Sequence, residues 1–183
     1  MILARWRARR ANRMLIEQIH GEIVAAARAP ALYTHWAVAD SLDGRFEMIA
    51  LHAGLVMRRL GELGDIGAEI AQDLVDCVFR HFEDALRETA ASDTGVARRM
   101  KSMAAAFCGR NRAYGEALAA RDAQALAAAL ARNVYGASDV SAAPRSRDLA
   151  RYVIAAALAL EREGIDLFCG GRFAFPGALG DAR

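Results

Sequence analysis

Lysine is nearly missing from this chain: Lys101 is its one lysine, and arginine supplies the rest of the 24 basic residues. Proline occurs 3 times in 183 residues, and aromatic residues make up 7%. Long apolar runs are missing too. No window approaches the roughly 18 uncharged apolar residues that a membrane-spanning helix requires, so no transmembrane helix is expected. The basic start lacks the apolar core of a secretory signal, and the first serine is Ser41, which argues against a Ser-rich transit peptide. Cys77, Cys108 and Cys169 are odd in number and show no CxxC spacing, which suits reduced thiols in a cytosol and offers no zinc site, so no metal is expected. There is no GxGxxG, P-loop or GxSxG, so nucleotide and acyl-transfer chemistry have no foothold. β-branched runs and strictly alternating stretches are lacking as well, which removes the usual signatures of a sheet. A formal net charge of +2 argues against a generally cationic binder of nucleic acid, and no DNA partner is expected.

What remains is rich in Ala, Leu, Arg and Glu, with 55% hydrophobic and 25% charged residues. Such a composition folds, and it favours helix almost everywhere. The expected architecture is a single all-α domain, a bundle of about six helices over 14–175, with a basic arm at 1–13 and an irregular tail at 176–183. A chain of this length buries roughly 70% of its unfolded surface in one core. The arm is the sharpest shift in composition: Arg5, Arg7, Arg9, Arg10 and Arg13 all precede the first acid, Glu17.

Apolar spacing predicts a first helix from about Arg10 to Arg28, ended by Ala29-Pro30, and then a loop through Tyr33, His35 and Trp36. A second helix from about Gly44 to Leu60 has Asp43 as its expected cap. A third, from about Asp65 to Glu88, is apolar over more than half its circumference and is the expected central helix. A fourth, from Ser92 or Asp93 to about Ala120, carries Val96, Met100, Met103, Phe107, Tyr114 and Leu118. Its seam is interrupted by Arg110 and Asn111, which implies a kink or a polar group in a helix contact. A short helix after Asp122 and a last one from about Ser146 to Glu163 complete the set. The residues from Ile165 onward are expected to lie irregularly against the bundle.

The candidates for chemistry are few. Glu17 and His20 form an ExxH, the element that di-iron bundles use twice together with further inward glutamates, and a surface ion pair is the plainer reading. Cys77 and His81, at i and i+4, could share a metal, but both fall on the apolar face of the third helix with no third ligand nearby in sequence, so a hydrogen-bonded core histidine is the expected reading. Arg98, Arg99 and Lys101 oppose the dipole at the start of the fourth helix, which hints at an external anion. Met48, Met57, Met100 and Met103 suit either a core or a groove that accepts an apolar helix.

Several stretches resemble the ubiquinol-cytochrome c chaperone family, which assists assembly of the cytochrome bc complex. They are the segment Asp40 to Leu60 with its Gly44-Arg45-Phe46, the segment Gln72 to Leu118 with Leu86-Arg87-Glu88 and Phe107-Cys108-Gly109-Arg110, and Arg132-Asn133-Val134-Tyr135. The likeness spans about residues 30–135; one departure is Ala39-Asp40-Ser41, where Pro-Asp-Thr is expected. It implies a non-enzymatic assembly factor without a cofactor, whose client is cytochrome b, acting in the cytoplasm at the inner face of a bacterial membrane. Mitochondrial relatives work at the ribosome with a small partner protein. The motif positions are Asp40, Gly44, Arg45, Phe46, Gln72, Asp76, Arg87, Glu88, Asp93, Asn133 and Tyr135, with a structural role expected for Arg87, Glu88 and Arg110. Lys101, Met103, Phe107, Arg110 and Tyr114 are the expected client contacts. The arm arginines are expected to meet anionic lipid or, alternatively, ribosomal RNA.

Overall fold

The computed structural model describes the backbone of residues 2–89, 93–170 and 173–177, with side chains from 12 to 88 and for the later segments. Among the described residues eight helices follow in order: α1 (Ile2–Ala27), α2 (Pro30–Thr34), α3 (Leu42–Gly61), α4 (Gly64–Thr89), α5 (Asp93–Ala119), α6 (Ala123–Tyr135), α7 (Arg145–Glu161) and α8 (Ile165–Cys169). No strand occurs among the described residues. The long helices are the expected ones. The short α2 replaces a predicted loop and has Pro30 within its first turn, where the missing N–H costs nothing.

Local chemistry sets the helix ends. Ser41, not Asp43, is the cap of α3: its Oγ accepts from the Gly44 N–H at 3.1 Å, and Ser41 is extended as an N-cap should be. Gly44 also permits a close backbone approach, since a Cβ there would lie 1.9 Å from the Ala39 carbonyl oxygen. The expected short helix after Asp122 is α6; Asp122 caps it, accepting from the N–H groups of Gln124 and Ala125, and Gly136 ends it at φ 61°. At the start of the chain α1 runs from Ile2, so the arginine-rich segment continues the first helix and is not a separate element at the backbone level. The side chains of Arg5, Arg7, Arg9 and Arg10 lie outside the described residues; Arg13 is exposed.

The helix at the centre is α3, which packs against α1, α4, α5, α6 and α7. α4, the expected centre, touches α1, α3 and α5, while Gln72, Asp76, Arg80 and Glu88 face solvent. The breadth of its apolar face reflects contact with several partners along one side. α3 meets more neighbours because small residues let them approach. At Gly54 an added Cβ would lie 1.9 Å from the Asn111 Oδ1 of α5.

The last residues also depart in part from expectation. They begin with α8, and residues 173–177 then lie without regular structure against the bundle as expected, but with Phe173 buried in the core. Phe168 is fully buried and packs on Phe173 at 5.0 Å between ring centroids; Phe173 meets Phe175 at 5.8 Å, and Phe175 meets His52 of α3 at 4.9 Å. His52 is wholly enclosed, with Nδ1 2.7 Å from the Met48 carbonyl oxygen and Nε2 2.7 Å from the Tyr152 hydroxyl.

Burial lowers the His52 pKa from 6.5 to about 4. Below pH 6.5 the unfolded chain therefore binds a proton that the native state refuses. Stability is expected to fall by roughly 3 kcal/mol between pH 6.5 and 4 on account of this residue, and then to level off. Urea melts at a series of pH values should show a shallower slope over that window in His52→Gln, with part of the slope left by His20, whose pKa is also lowered to about 4.

Candidate functional site

The polar break in α5 enters a helix contact without interrupting the helix, which is continuous from Asp93 to Ala119. Arg110 Nε donates to Glu47 Oε2 of α3 at 2.5 Å, and the guanidinium lies 5.7 Å from the centroid of the Phe46 ring. Glu47 is buried, and burial raises its pKa while the Arg110 hydrogen bond opposes the shift. Phe46 packs on Phe82 of α4 at 5.1 Å, and Phe107 on Phe79 at 5.3 Å. An aromatic layer between α3, α4 and α5 thus covers one side of the ion pair.

The expected client contacts divide in this setting. Lys101 is exposed and Arg110 is half-buried in its pair with Glu47. Met103, Phe107 and Tyr114 are buried, so Met103 and Phe107 pack the interior and offer no surface. Their narrow stripe is the contact face of α5. Tyr114 differs because it lines an opening. Leu51, Gly54, Leu55, Arg58, Asn111, Tyr114, Gly115 and Leu118 enclose a hollow of about 230 Å³ on the α3/α5 face. This shares Arg58 and Leu118 with a larger hollow of about 400 Å³, bounded also by Arg121, Leu126, Ile154, Ala157, Leu158 and Glu161. Together they make one groove along α3, α5 and α7 with an apolar floor.

The groove rim is charged. Arg58 pairs with Glu62 at 3.3 Å and with Glu161 at 3.7 Å. Arg121 sits at φ 54° in the turn before α6, a region that non-glycine residues seldom adopt. Leu158 is 52% exposed at the edge. Sequence reasoning overlooked Leu158, although it falls off the α7 seam of Leu149, Tyr152, Val153, Ala156 and Leu160. It also overlooked Glu47 as the partner of Arg110.

Several motif residues link neighbouring elements, whereas Gln72, Asp76 and Glu88 face solvent, so Glu88 does not meet the buried partner expected for it. Asp40, ahead of α3, pairs at 2.8 Å with Arg45 in the first turns of that helix, and the Arg45 hydrogen bond lowers the pKa of Asp40. Arg87 bonds to Glu83 at 2.6 Å and to Asp93 at 2.9 Å, joining the end of α4 to the start of α5. Ser92, the alternative cap of α5, lies outside the described residues. The Tyr135 hydroxyl donates to the Trp36 carbonyl at 2.9 Å, while the Tyr114 hydroxyl is buried without a hydrogen-bond partner among the described residues and burial raises its pKa. In the cationic start of α5, Arg99 pairs with Asp43 within the chain, which accounts for one of the charges that hinted at an outside anion.

A second cluster lies between α1 and α4. His81 Nε2 is 2.8 Å from Glu17 Oε2, and Arg80 is 3.6 Å from the other oxygen of that carboxylate. The His20 and His81 rings stack at 4.2 Å with an interplanar angle of 6°. Cys77 is buried beside them, and burial pushes its thiol up to about 11. His81 is 44% exposed, so it is no core histidine; that description fits His52.

These features define an all-α helical bundle in which several motif residues link one helix to the next. The model of the ubiquinol-cytochrome C chaperone family matches residues 34–175. The chain belongs to that family. Its fold is similar to the crystal structure of the Cbp3 homolog from Brucella abortus, with a TM-score of 0.85, 36% identity, and coverage of 97% of this chain and 98% of that one. No functionally curated protein matched in sequence.

The buried ion pair yields a prediction. Arg110→Met leaves Glu47 uncompensated and is expected to cost roughly 3 kcal/mol at pH 7 in denaturant melts. Adding Glu47→Gln should recover part of the loss, and the cost of Arg110→Met alone should shrink at acid pH, where a protonated Glu47 needs no counter-charge.

Proposed function

We propose that this protein is an assembly chaperone that binds cytochrome b and promotes formation of ubiquinol-cytochrome c reductase without itself catalysing a reaction. The observation that carries this reading is the family match over 34–175, supported by a like fold across nearly the whole chain. Cytochrome b is a subunit of several apolar helices, and a chaperone for it must shield such surface before the neighbouring subunits do. The groove along α3, α5 and α7 is suited to that role, because its floor is apolar and its arginine rim matches the polar ends of a client segment. No described helix is long and apolar enough to cross a membrane. On this reading the protein works from the inner face of the bacterial cytoplasmic membrane. Arg5, Arg7, Arg9, Arg10 and Arg13 would draw it to anionic lipid at about 1 kcal/mol for each arginine near the surface. Ribosomal RNA would attract the same segment, and pelleting with vesicles or with ribosomes separates the two.

Deleting the gene is expected to lower assembled cytochrome bc complex, seen on native gels, while other respiratory complexes persist; normal levels of the complex in the deletion strain would overturn the reading. Leu158→Glu places a charge at the groove edge, where the side chain is 52% exposed. Affinity purification from native membranes should retain newly made cytochrome b several-fold less well with this variant, at unchanged helicity and melting temperature.

A further inference from the structure

The α1/α4 cluster brings together two pairs that are each spaced to share one helix face, Glu17 with His20 and Cys77 with His81. One ligand atom from each of the four lies within 4.8 Å of all the others. In a tetrahedral zinc site, with bonds of about 2.0–2.3 Å, the ligand atoms stand roughly 3.4 Å apart. The remaining distance is on the scale that side-chain rotation can close. The carboxylate is already oriented. Glu17 turns one oxygen to His81 and the other toward Arg80, so it can give the first to a metal while Arg80 steadies the second.

Ordinary packing explains the cluster poorly. Two imidazoles stacked face to face beside a thiol and a carboxylate gather four potential ligands, and His20 and Cys77 gain nothing from solvent there because both are buried. A cation at their centre would give each donor an electrostatic partner. We propose that Glu17, His20, Cys77 and His81 bind a single zinc ion, or a divalent cation of similar preference for sulfur and nitrogen, and that this ion pins α1 to α4. Thiol and imidazole donors favour such a metal over magnesium or calcium, which prefer oxygen. Four protein ligands leave no open position, as in a structural site. The half-exposed His81 and Glu17 provide the path by which the ion reaches the buried donors.

The test uses the untagged full chain, stripped of metal with a chelator and titrated with cobalt(II) and zinc(II). Cobalt is expected to bind at one equivalent, with intense visible bands of tetrahedral geometry and a thiolate-to-cobalt charge-transfer band in the near ultraviolet, and zinc should displace it. Cys77→Ser should abolish the charge-transfer band, whereas substitution of the exposed Cys108 and Cys169 by serine should leave it. His81→Ala removes an exposed ring, so the fold should persist. Zinc should raise the melting temperature of the unmodified chain and leave that of His81→Ala unchanged. Failure to bind a stoichiometric ion, a charge-transfer band that survives Cys77→Ser, or a zinc-induced rise that persists in His81→Ala would overturn the proposal. None of these readouts depends on the chaperone reading.

Discussion

A helix enclosed by its neighbours must settle every polar group it carries inside the protein, and α3 is so placed, with α1, α4, α5, α6 and α7 around it. Glu47 is met by Arg110, and His52 is met by a carbonyl on one ring nitrogen and by the Tyr152 hydroxyl on the other. Arg110 comes from α5 and Tyr152 from α7, so each pair also fixes which helix lies on which side and at what height. Apolar contact alone tolerates sliding, but a buried carboxylate without its guanidinium is far costlier than a displaced leucine. The arrangement of α5 and α7 around α3 follows from these two pairs, and the groove between them follows from that arrangement.

The groove and the ion pair are two faces of one seam. Asn111 occupies the space that Gly54 leaves open and lines the smaller hollow, one residue beyond the arginine that neutralises Glu47. The floor of the proposed client surface is therefore set by residues whose first duty is structural. Among the motif residues, Phe46 and Arg110 sit at the contact of α3 with α5, beside the wall of the smaller hollow. Of the features that face outward, Arg58 lies within the first motif segment, Arg121 between motifs, and Leu158 beyond the last of them.

Much of the helix pattern was legible because caps and apolar spacing act over a few residues. The helix start at Asp122, the stop before Pro30 and the polar break at Arg110 all express local chemistry. The central position of α3 was hidden, since it depends on glycines whose missing side chains matter only once the opposite helix is known. The groove was hidden for a like reason: it is a gap between three helices distant in sequence. The α1/α4 cluster was half legible. Both spacings stood out, yet nothing in either helix announces that they meet, because α2 and α3 intervene and loop length does not predict the pairing.

The aromatic run from Phe168 through Phe173 to Phe175 ends on His52, and Tyr152 reaches the same ring from α7. The midpoint of α3 is thus covered by residues made about a hundred positions later. While the ribosome is still producing that stretch, His52 and the apolar residues beside it remain open to water and to other proteins. The N-terminal helices can form early, but the interior closes only when its C-terminal plug arrives. A member of a chaperone family is thus, during its own synthesis, itself an unfinished chain with an open core.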